Sequence, residues 1–505
     1  MSEDFLHQVH LLNPSIDIDY SDLIYNRALL EIEDTVLNMG GSLLPVYGLL
    51  STNRECPNTL SSDLLRETCY NVDELALYIA NNEPKLLPEQ KFAYNSIINS
   101  VWDKAGEIFF LDTPAGTGKT FLTKLILAEI RRTQGIALAV ASSGIAATLL
   151  PGGRTTHSTF KLPLDLAKTN TPICNISNSS EQAEVFRRCK LIVWDECTMA
   201  HRGALEALDR SLRDIKDSTV PMGGITLLLL GDFRQTLPVI PKGNTAGTVR
   251  ACLKSSALWP LVKTIKLHTN MRAHMRGDVA SAEFSHTLLA LGEAKTPCDE
   301  KGNITIDSLC TIVDTPSDLT DAVFPDLQAN YHNMDWIGQR AILAPKNTTV
   351  NHIDDQMLKI ILGDDYIYKS IDTTPDPEDV INYPIEVLNS LEPPGLPPHI
   401  LKLKVGAPII LIRNLVLPKQ CNSTRLIVKS LSPNLIEATI ITGCGRGNIV
   451  LIPRMHLFPS AADLPFTFRS NNIYFNYFSA LLWSKVAMPL PTLRIIKEIV
   501  DVPIA

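Results

Sequence analysis

Short runs of consecutive apolar residues alternate with segments of helical periodicity between residues 85 and 267. Continuous apolar runs, unlike runs that alternate with polar residues, suit strands of a parallel sheet that is covered on both faces. Because helical segments separate the runs, the pattern predicts an α/β domain. The predicted strands are 107–112, 136–141, 190–195, 225–230 and 264–267.

The pattern differs on either side of this region. Residues 1–84 carry apolar positions at helical spacing and predict a helical extension. Downstream, a proline-rich connector at 391–398 separates two further predicted strands, 340–344 and 408–412. Turn residues then divide a series of closely spaced strands, which predicts a small antiparallel β module at about 401–455. Its strands are predicted at 425–431, 436–442 and 448–453.

The composition adds broad limits. A chain of 505 residues is long enough for two or three domains, each with its own core. The net charge of −8 is weak evidence against nucleic-acid binding, although a narrow basic channel can lie on an acidic molecule. The ten cysteines form no C-x-x-C pair, and no signal peptide or bilayer-long apolar run is visible. We therefore expect a reduced, intracellular protein without a zinc site.

A glycine-rich turn, "DTPAGTGKT" at 112–120, lies between the first predicted strand and a helical segment. This context is typical of a phosphate-binding loop, whose backbone N–H groups face the phosphates. Lys119 is predicted to reach the β- and γ-phosphates and Thr120 to hold Mg²⁺. Thr113 replaces the usual first glycine, which a negative φ would allow. The predicted nucleotide-binding residues are Ala115, Gly116, Thr117, Gly118, Lys119 and Thr120.

Acidic and polar residues follow other strands of the predicted sheet. "LIVWDE" places Asp195 for the metal and Glu196 as the base that orients water. Asp232 and Gln235, in "GDFRQ", would lie at the same edge, with Gln235 sensing the γ-phosphate or only capping a turn. Arg272, in "LHTNMRA", is a candidate γ-phosphate contact, with a surface salt bridge as the alternative.

The order of these motifs resembles the Pif-type, RecD-like branch of superfamily-one DNA helicases, over about residues 20–468. Within that branch it is most similar to the helicase portion of Helitron transposon proteins. The resemblance rests on "LLPEQKFAYNSI", "TPAGTGKTF", "SSGIAATLLPGGRTTHSTFKLPL", "VWDECTM", "GDFRQTLPVIPKG" and "LHTNMR", with "PIEVLNSLEPPGLPPHILKLKVGAPIILIRNL" and "CNSTRLIV" downstream.

This resemblance implies two RecA-like parallel-sheet domains, with a helical N-terminal extension and a small β insert in the second. The implied boundaries are 1–84 for the extension, 85–265 and 266–468 for the two motor domains, and 469–505 for the tail. It also implies ATP and Mg²⁺ as cofactors and 5′-to-3′ movement on single-stranded DNA or a 5′-tailed duplex. A monomer and, in a eukaryote, a nuclear location complete the expectation.

The resemblance assigns further residues one by one. Gln90 is similar to the adenine-reading glutamine ahead of the phosphate loop. The segment around Ser143, Gly144, Thr156 and His157 resembles the part of the first motor domain that grips single-stranded DNA. From the residues alone, a lone histidine in "TTHSTF" is usually a residue at a capped helix start or a polar residue with satisfied hydrogen bonds, and only the resemblance favours DNA contact by His157.

The tail departs from the family pattern. Residues 469–505 contain neither the Thr-x-x-Lys-Ser-Gln-Gly motif nor the later arginine motif, and "IYFNYFSALLW" has no obvious partner. We therefore expect an unpaired strand edge in the second motor domain. This leaves three hypotheses open. They are a working helicase or translocase, a weakened ATP- and DNA-binding remnant of a transposon helicase, and a general phosphate-loop enzyme such as a nucleotide kinase or transporter ATPase.

Overall fold

The computed structural model of the chain describes one long central part and shorter pieces near both ends. Most of residues 1–69 and 483–505 lie outside the described residues, including most of the helical pattern predicted at 27–40. The described ranges are 70–163, 171–235, 244–276, 279–298, 311–344, 347–375, 383–391, 396–413, 420–443, 445–459 and 466–473, with shorter pieces elsewhere between 29 and 496.

The first half of the chain forms a six-stranded parallel sheet, as its continuous apolar runs predict. Its strand order is β3-β2-β4-β5-β1-β6, and every neighbouring pair within it is parallel. The strands are β1 Ile108–Asp112, β2 Ile136–Ala141, β3 Arg154–Thr155, β4 Cys189–Asp195, β5 Thr226–Gly231 and β6 Val262–Lys266.

Helices cover both faces of this sheet. Those of the first half are α1 Val72–Asn82, α2 Pro88–Trp102, α3 Lys119–Arg132, α4 Gly144–Thr148, α5 Thr156–Phe160, α6 Glu181–Arg188, α7 Arg202–Ile215, α8 Thr245–Ala251, α9 Met271–Arg276 and α10 Val279–Gly292. Alternate residues of β1 face opposite sides of the sheet. Phe110 lies in the core with residues of α7, and Phe109 and Leu111 lie in the core with residues of α2 and α3. The sheet is thus buried on both faces.

The second half of the chain contains a larger antiparallel sheet of seven strands, in the order β10-β16-β15-β14-β13-β12-β17. Neighbouring strands pair antiparallel throughout. This agrees with the turn-divided pattern that predicts a β module at about 401–455. The strands are β7 Thr311–Val313, β8 Ile342–Ala344, β9 Tyr366–Lys369, β10 Ile371–Thr373, β11 Ile400–Leu403, β12 Pro408–Leu411, β13 Arg425–Ser432, β14 Leu435–Ile440, β15 Ile449–Leu457, β16 Arg469–Ile473, β17 Phe475–Tyr477, β18 Ala480–Leu482 and β19 Arg494–Ile496.

Short helices pack around this sheet. They are α11 Pro316–Val323, α12 Leu327–Asn330, α13 Met334–Gly338, α14 Asn347–Ile360 and α15 Ile385–Ser390. Arg425 of β13 is buried and donates to the backbone carbonyls of Ile337, Gly338 and Arg340. The β module is therefore fixed to α13 by one guanidinium group.

The tail supplies strands to this half. β18 pairs in parallel with β8, β19 pairs in parallel with β7, and β17 adds to β12. β18–β8 and β19–β7 are separate two-stranded sheets and β17 ends the large sheet, so the unpaired edge expected in the second motor domain stays a prediction. Strand backbones need hydrogen-bonding partners, and the apolar stretches of the tail provide them. Parallel pairing in the described second half is confined to these two short pairs.

The described end of the N-terminal extension packs against the first sheet's helices. Arg131 of α3 lies 4.3 Å from the Tyr70 ring, and Arg154 of β3 pairs with Glu67 at 3.1 Å. These contacts tie the extension to the first domain. Across the described residues, no helix has both the length and the apolar character needed to cross a membrane.

Candidate functional site

The glycine-rich turn leads from β1 into the first turn of α3. Gly116 and Gly118 have φ values of +87° and +83°, a left-handed conformation that favours glycine. A Cβ atom on Gly118 would lie 2.7 Å from the Gln90 amide nitrogen, so this position also has no room for a side chain. Thr113 is absent from the positive-φ residues, which explains why a non-glycine residue fits at the loop entrance.

Lys119, the first residue of α3, contacts two carboxylates at the end of β4. Its Nζ lies 2.8 Å from Asp195 Oδ1 and 2.6 Å from Glu196 Oε1. Burial alone would lower the pKa of Lys119, but the two carboxylates outweigh burial and raise the pKa above its ordinary value. The lysine is therefore a fixed positive charge at the phosphate loop, and three predicted site residues meet at one point.

The backbone around Glu196 is strained. Its φ of +50° is left-handed, which is uncommon outside glycine and concentrates at functional sites. The Asp195 carboxylate accepts a 2.8 Å hydrogen bond from the Glu196 N–H, and Asp195 is 2% exposed. Next to it, Trp194 donates to the Ser142 hydroxyl at 2.9 Å. The strand end is thus held rigidly while Glu196 turns toward Lys119.

The donor set suits the predicted magnesium ion. Asp195 offers a carboxylate at the sheet edge, and Thr120 offers a hydroxyl on the first turn of α3. Mg²⁺ prefers oxygen ligands and is usually held by one or two carboxylates together with substrate phosphates. The residues present therefore fit this ion without a larger acidic cluster.

Gln90 reaches the same loop from α2. It is buried, donates to the Thr117 carbonyl at 2.9 Å and accepts from the Leu87 N–H at 3.1 Å. Its amide therefore holds the phosphate loop directly. Whether it also reads adenine, as the resemblance implies, stays a prediction.

Two residues that the motif analysis did not single out hold the segment ahead of Arg272. Glu89 accepts from the His268 and Thr269 N–H groups at 3.0 and 2.8 Å. Asn270 donates to the Ala115 carbonyl at 3.2 Å. Glu89 adjoins Gln90 and Asn270 lies in "LHTNMR", so their positions in quoted motifs were the available signal.

The segment between β6 and α9 therefore runs across the phosphate loop, and the Met271 N–H donates to the Gly116 carbonyl at 2.8 Å. This places the backbone of Arg272, the next residue, beside the loop. The side chain of Arg272 lies outside the described part, and its contact with the γ-phosphate stays a prediction.

Asp232 and Gln235 follow β5 at the same sheet edge. Asp232 is buried, and its Oδ2 accepts from the Gln235 amide at 2.9 Å. Gln235 is exposed, and its described hydrogen bond goes to Asp232, not to the Lys119 cluster. In this state the amide caps its own turn, the alternative that the sequence left open.

The predicted DNA-contact residues lie at two helix starts beyond β2 and β3. Ser143 caps α4 by accepting from the Ala146 N–H at 3.2 Å, and Gly144 is the first residue of that helix. Thr156 is buried at the start of α5, and His157 next to it is exposed. A Cβ atom on Gly144 would lie 3.0 Å from the Asn422 carbonyl, so the β module approaches this segment.

The first half has the features of a P-loop nucleotide-binding protein. It contains a parallel sheet, a phosphate loop before α3 and, beside the lysine of that loop, an acidic end of β4. Residues 85–302 match the PIF1-like helicase family, and residues 386–431 match the 2B domain of DNA helicase Pif1. The two matches together span just over half of the chain, and both support a Pif1-type superfamily-one helicase.

Individual relatives agree with this assignment. The chain is 27% identical over 361 residues to the ATP-dependent DNA helicase PIF1 of Candida albicans, covering 69% of this chain and 35% of that one. It is 30% identical over 209 residues to the ATP-dependent DNA helicase RRM3 of Saccharomyces cerevisiae, covering 40% and 28%. This chain therefore spans about a third of the length of these relatives.

Solved structures show the same fold. The Pif1 helicase from Bacteroides in complex with ADP-AlF3 and ssDNA aligns with a TM-score of 0.52 at 20% identity, covering 77% of this chain and 82% of that one. The predicted α/β class with a RecA-like first domain is confirmed. The narrower resemblance to Helitron helicases stays a prediction.

Proposed function

We propose that the chain is an ATP-dependent DNA helicase or translocase that moves 5′-to-3′ along single-stranded DNA. The observation that carries the proposal is the cluster of Lys119, Asp195 and Glu196 at the phosphate loop, with Nζ–oxygen distances of 2.6 and 2.8 Å. The relatives are named ATP-dependent DNA helicases, and a structural neighbour holds ADP-AlF3 and ssDNA.

The geometry suggests how nucleotide starts the cycle. Lys119 now neutralises Glu196, so an entering γ-phosphate would compete with both carboxylates for the same ammonium group. When the Lys119 ammonium group moves from the carboxylates to the β- and γ-phosphates, Glu196 would be free to orient and deprotonate the attacking water. Binding of ATP and activation of the base are thereby linked through one side chain.

Thr120 and Asp195 are the residues that would hold Mg²⁺. Bound there, the ion would supply positive charge that neutralises the negative charge developing on the phosphate oxygens. Arg272 would add charge stabilisation from beside the loop. Both roles belong to the proposal.

Ser143, Gly144, Thr156 and His157 are proposed to contact single-stranded DNA. Their segment follows β2 and β3, whereas the phosphate loop follows β1, so both sites share one sheet edge. Alternating grips by two domains would then convert hydrolysis into a step. We propose a monomer that engages a 5′-tailed duplex and, in a eukaryotic source, a nuclear location.

A second candidate is a catalytically weakened ATP- and DNA-binding remnant of a transposon helicase. One observation favours it, namely that residues 469–505 lack the family's later motifs. Loss of an arginine at the γ-phosphate can cost about 10³–10⁵ in rate. Replacing 469–505 with a family-like segment should raise turnover only if this second candidate is right.

The deciding experiment compares steady-state ATPase rates with and without single-stranded DNA for the wild type and Lys119→Ala. Lys124→Ala, on the same helix but away from the carboxylates, is the matched control. DNA-stimulated turnover that only Lys119→Ala removes supports the motor. ATP binding without stimulated turnover would support the remnant. Comparing 5′-tailed with 3′-tailed duplexes then tests the direction of movement.

A further inference from the structure

One arginine outside the nucleotide cluster contacts three carboxylates from separate parts of the chain. Arg234 Nε lies 2.6 Å from Asp232 Oδ1, one terminal nitrogen lies 2.8 Å from Asp112 Oδ1, and the other lies 3.3 Å from Glu293 Oε1. A guanidinium group has donors in a rigid planar fork and can serve several carboxylates at once, which an ammonium group cannot do with the same geometry.

The three carboxylates belong to elements that a motor must coordinate. Asp112 ends β1 and directly precedes the phosphate loop. Asp232 holds the amide of Gln235 through its second oxygen. Glu293 follows α10, the helix that leads out of the first sheet toward the second half of the chain. One side chain thus joins the loop entrance, the Gln235 turn and the exit from the first domain.

The surroundings allow this link to change. Arg234 is 21% exposed on its side chain, so the guanidinium is neither locked in a core nor fully solvated. A cavity of about 320 Å³ lies beside it, lined by Asp112, Asp232 and Arg234 together with Phe233, Trp259 and Lys266. The side chain therefore has room to move when β1 or α10 shifts.

Stabilisation of the fold by its ion pairs alone does not explain why Arg234 contacts three carboxylates. Partly exposed ion pairs typically contribute little to the free energy of unfolding, because solvent screens them. Removing the arginine, however, would leave three carboxylates in mutual proximity, and like charges destabilise one another. Among the residues that the structure describes, Arg234 is the side chain that pairs with all three carboxylates, and Lys295 contacts the second oxygen of Glu293 at 2.6 Å.

We propose that Arg234 is a positioning residue that couples nucleotide at the phosphate loop to the position of α10. The inference rests on the proposed function for its role in movement, but the coupling itself requires only nucleotide binding. When nucleotide shifts the end of β1, the guanidinium carries that shift to Glu293.

The test measures hydrogen exchange across residues 279–298 with and without a non-hydrolysable ATP analogue, together with the affinity for that analogue. In the wild type we expect the analogue to change protection of this segment by several-fold. In Arg234→Gln and Glu293→Gln we expect the analogue to bind within about twofold of the wild-type affinity but the change in protection to be lost. Arg234→Lys, which can meet fewer carboxylates, should restore it only in part.

Lys295→Met is the matched control, because it removes the other partner of the same carboxylate and should keep the wild-type response. The double variant Arg234→Gln/Glu293→Gln should resemble either single one, since both break one link. If Arg234→Gln fails to fold, Glu293→Gln still decides the question. A wild-type-like response in Glu293→Gln, or no response in the wild type, overturns the proposal.

Stimulation of ATPase by single-stranded DNA in the same variants separates this inference from the proposed function. We expect Arg234→Gln and Glu293→Gln to lower the stimulated-to-basal ratio about tenfold. A wild type without DNA stimulation but with nucleotide-dependent protection of 279–298 would refute the motor and leave the coupling intact. The reverse pattern would refute the coupling alone.

Discussion

The two halves of the chain contain sheets of different kinds. In the first half, six parallel strands between Ile108 and Lys266 form one sheet, and their carboxyl ends bring the candidate site together. In the second half, the largest described sheet is antiparallel. The parallel pairs of that half lie in separate two-stranded sheets and join segments more than a hundred residues apart, such as β8 with β18. The carboxyl ends of parallel strands lie at the same edge of the sheet and bring their polar loops together. In an antiparallel sheet the carboxyl ends alternate between the two edges.

The difference explains where chemistry is found. Lys119, Asp195 and Asp232 each follow or end a buried strand of the first sheet. In the second half, the residues singled out by the structure are mainly architectural, as with Arg425 on three backbone carbonyls. The candidate nucleotide site thus lies in the first half, and the contacts singled out in the second half hold its elements together.

Glu196→Gln gives the largest expected effect and sharpens the assignment of chemistry to the first half. An amide cannot deprotonate water, so ATP turnover should fall by about 10²–10⁴. Nucleotide binding should persist, because Lys119 keeps Asp195 as a partner. Steady-state ATPase rates beside fluorescent-nucleotide binding provide the measurement. Turnover at the wild-type level would show that another residue acts as the base.

Paired cavity substitutions test whether the halves are stabilised independently. Phe186 and Leu426 are fully buried in the cores of the first and second halves. Phe186→Ala should cost about 3–5 kcal/mol and Leu426→Ala about 2–5 kcal/mol.

Thermal unfolding followed by nucleotide binding distinguishes the two variants. Only Phe186→Ala should weaken nucleotide binding, because its core supports β4. Equal loss of binding in both variants would mean that the halves unfold as one unit.

Leu481→Pro tests the pairing of the tail with the second half. Proline removes a backbone donor from β18, which pairs residue by residue with β8. The free energy of unfolding of the second half should fall by about 1–3 kcal/mol, while ATP affinity stays unchanged. Leu481→Val keeps the donor and serves as the control in the same denaturant titration. An unchanged midpoint in the proline variant would refute the pairing.

Glu89→Gln gives the smallest expected effect and concerns pH. Burial raises the pKa of Glu89, but hydrogen bonds from the His268 and Thr269 backbone outweigh it, so the pKa is lowered below 4.5. A lowered pKa means that the ionised group stabilises the folded state above about pH 4.5, and this stability disappears as the pH falls through the folded value.

The variant should therefore lose less than about 1 kcal/mol of unfolding free energy at neutral pH, and that free energy should fall less steeply than in the wild type as the pH is lowered. Urea unfolding at a series of pH values measures both quantities. Lys91→Met, a change nearby on α2, is the control. Parallel pH profiles for Glu89→Gln and the wild type would contradict the assignment.

The local sequence pattern was sufficient to predict the strands and the phosphate loop of the first half. Strands 136–141 and 190–195 were predicted within a residue of their observed bounds, because continuous apolar runs in a two-faced sheet are unambiguous. The phosphate loop was equally readable, since its glycines, Lys119 and the flanking strand and helix are contiguous. The orientation of Gln235 was not, because its amide has a nearby acceptor in Asp232 and a distant one at the phosphate.

The sequence by itself determined which segments become buried strands, where the phosphate loop lies and which carboxylates lie at the end of another strand of the same sheet, β4. These depend on short-range patterns of burial and backbone conformation. Only the tertiary structure decided that Glu89 and Asn270 hold the segment ahead of Arg272, that Arg234 joins Asp112 to Glu293, and that β18 pairs with β8. Each of these contacts joins residues far apart in the chain, and the spacing of residues along the sequence does not show which distant residue a charged side chain or a strand will contact.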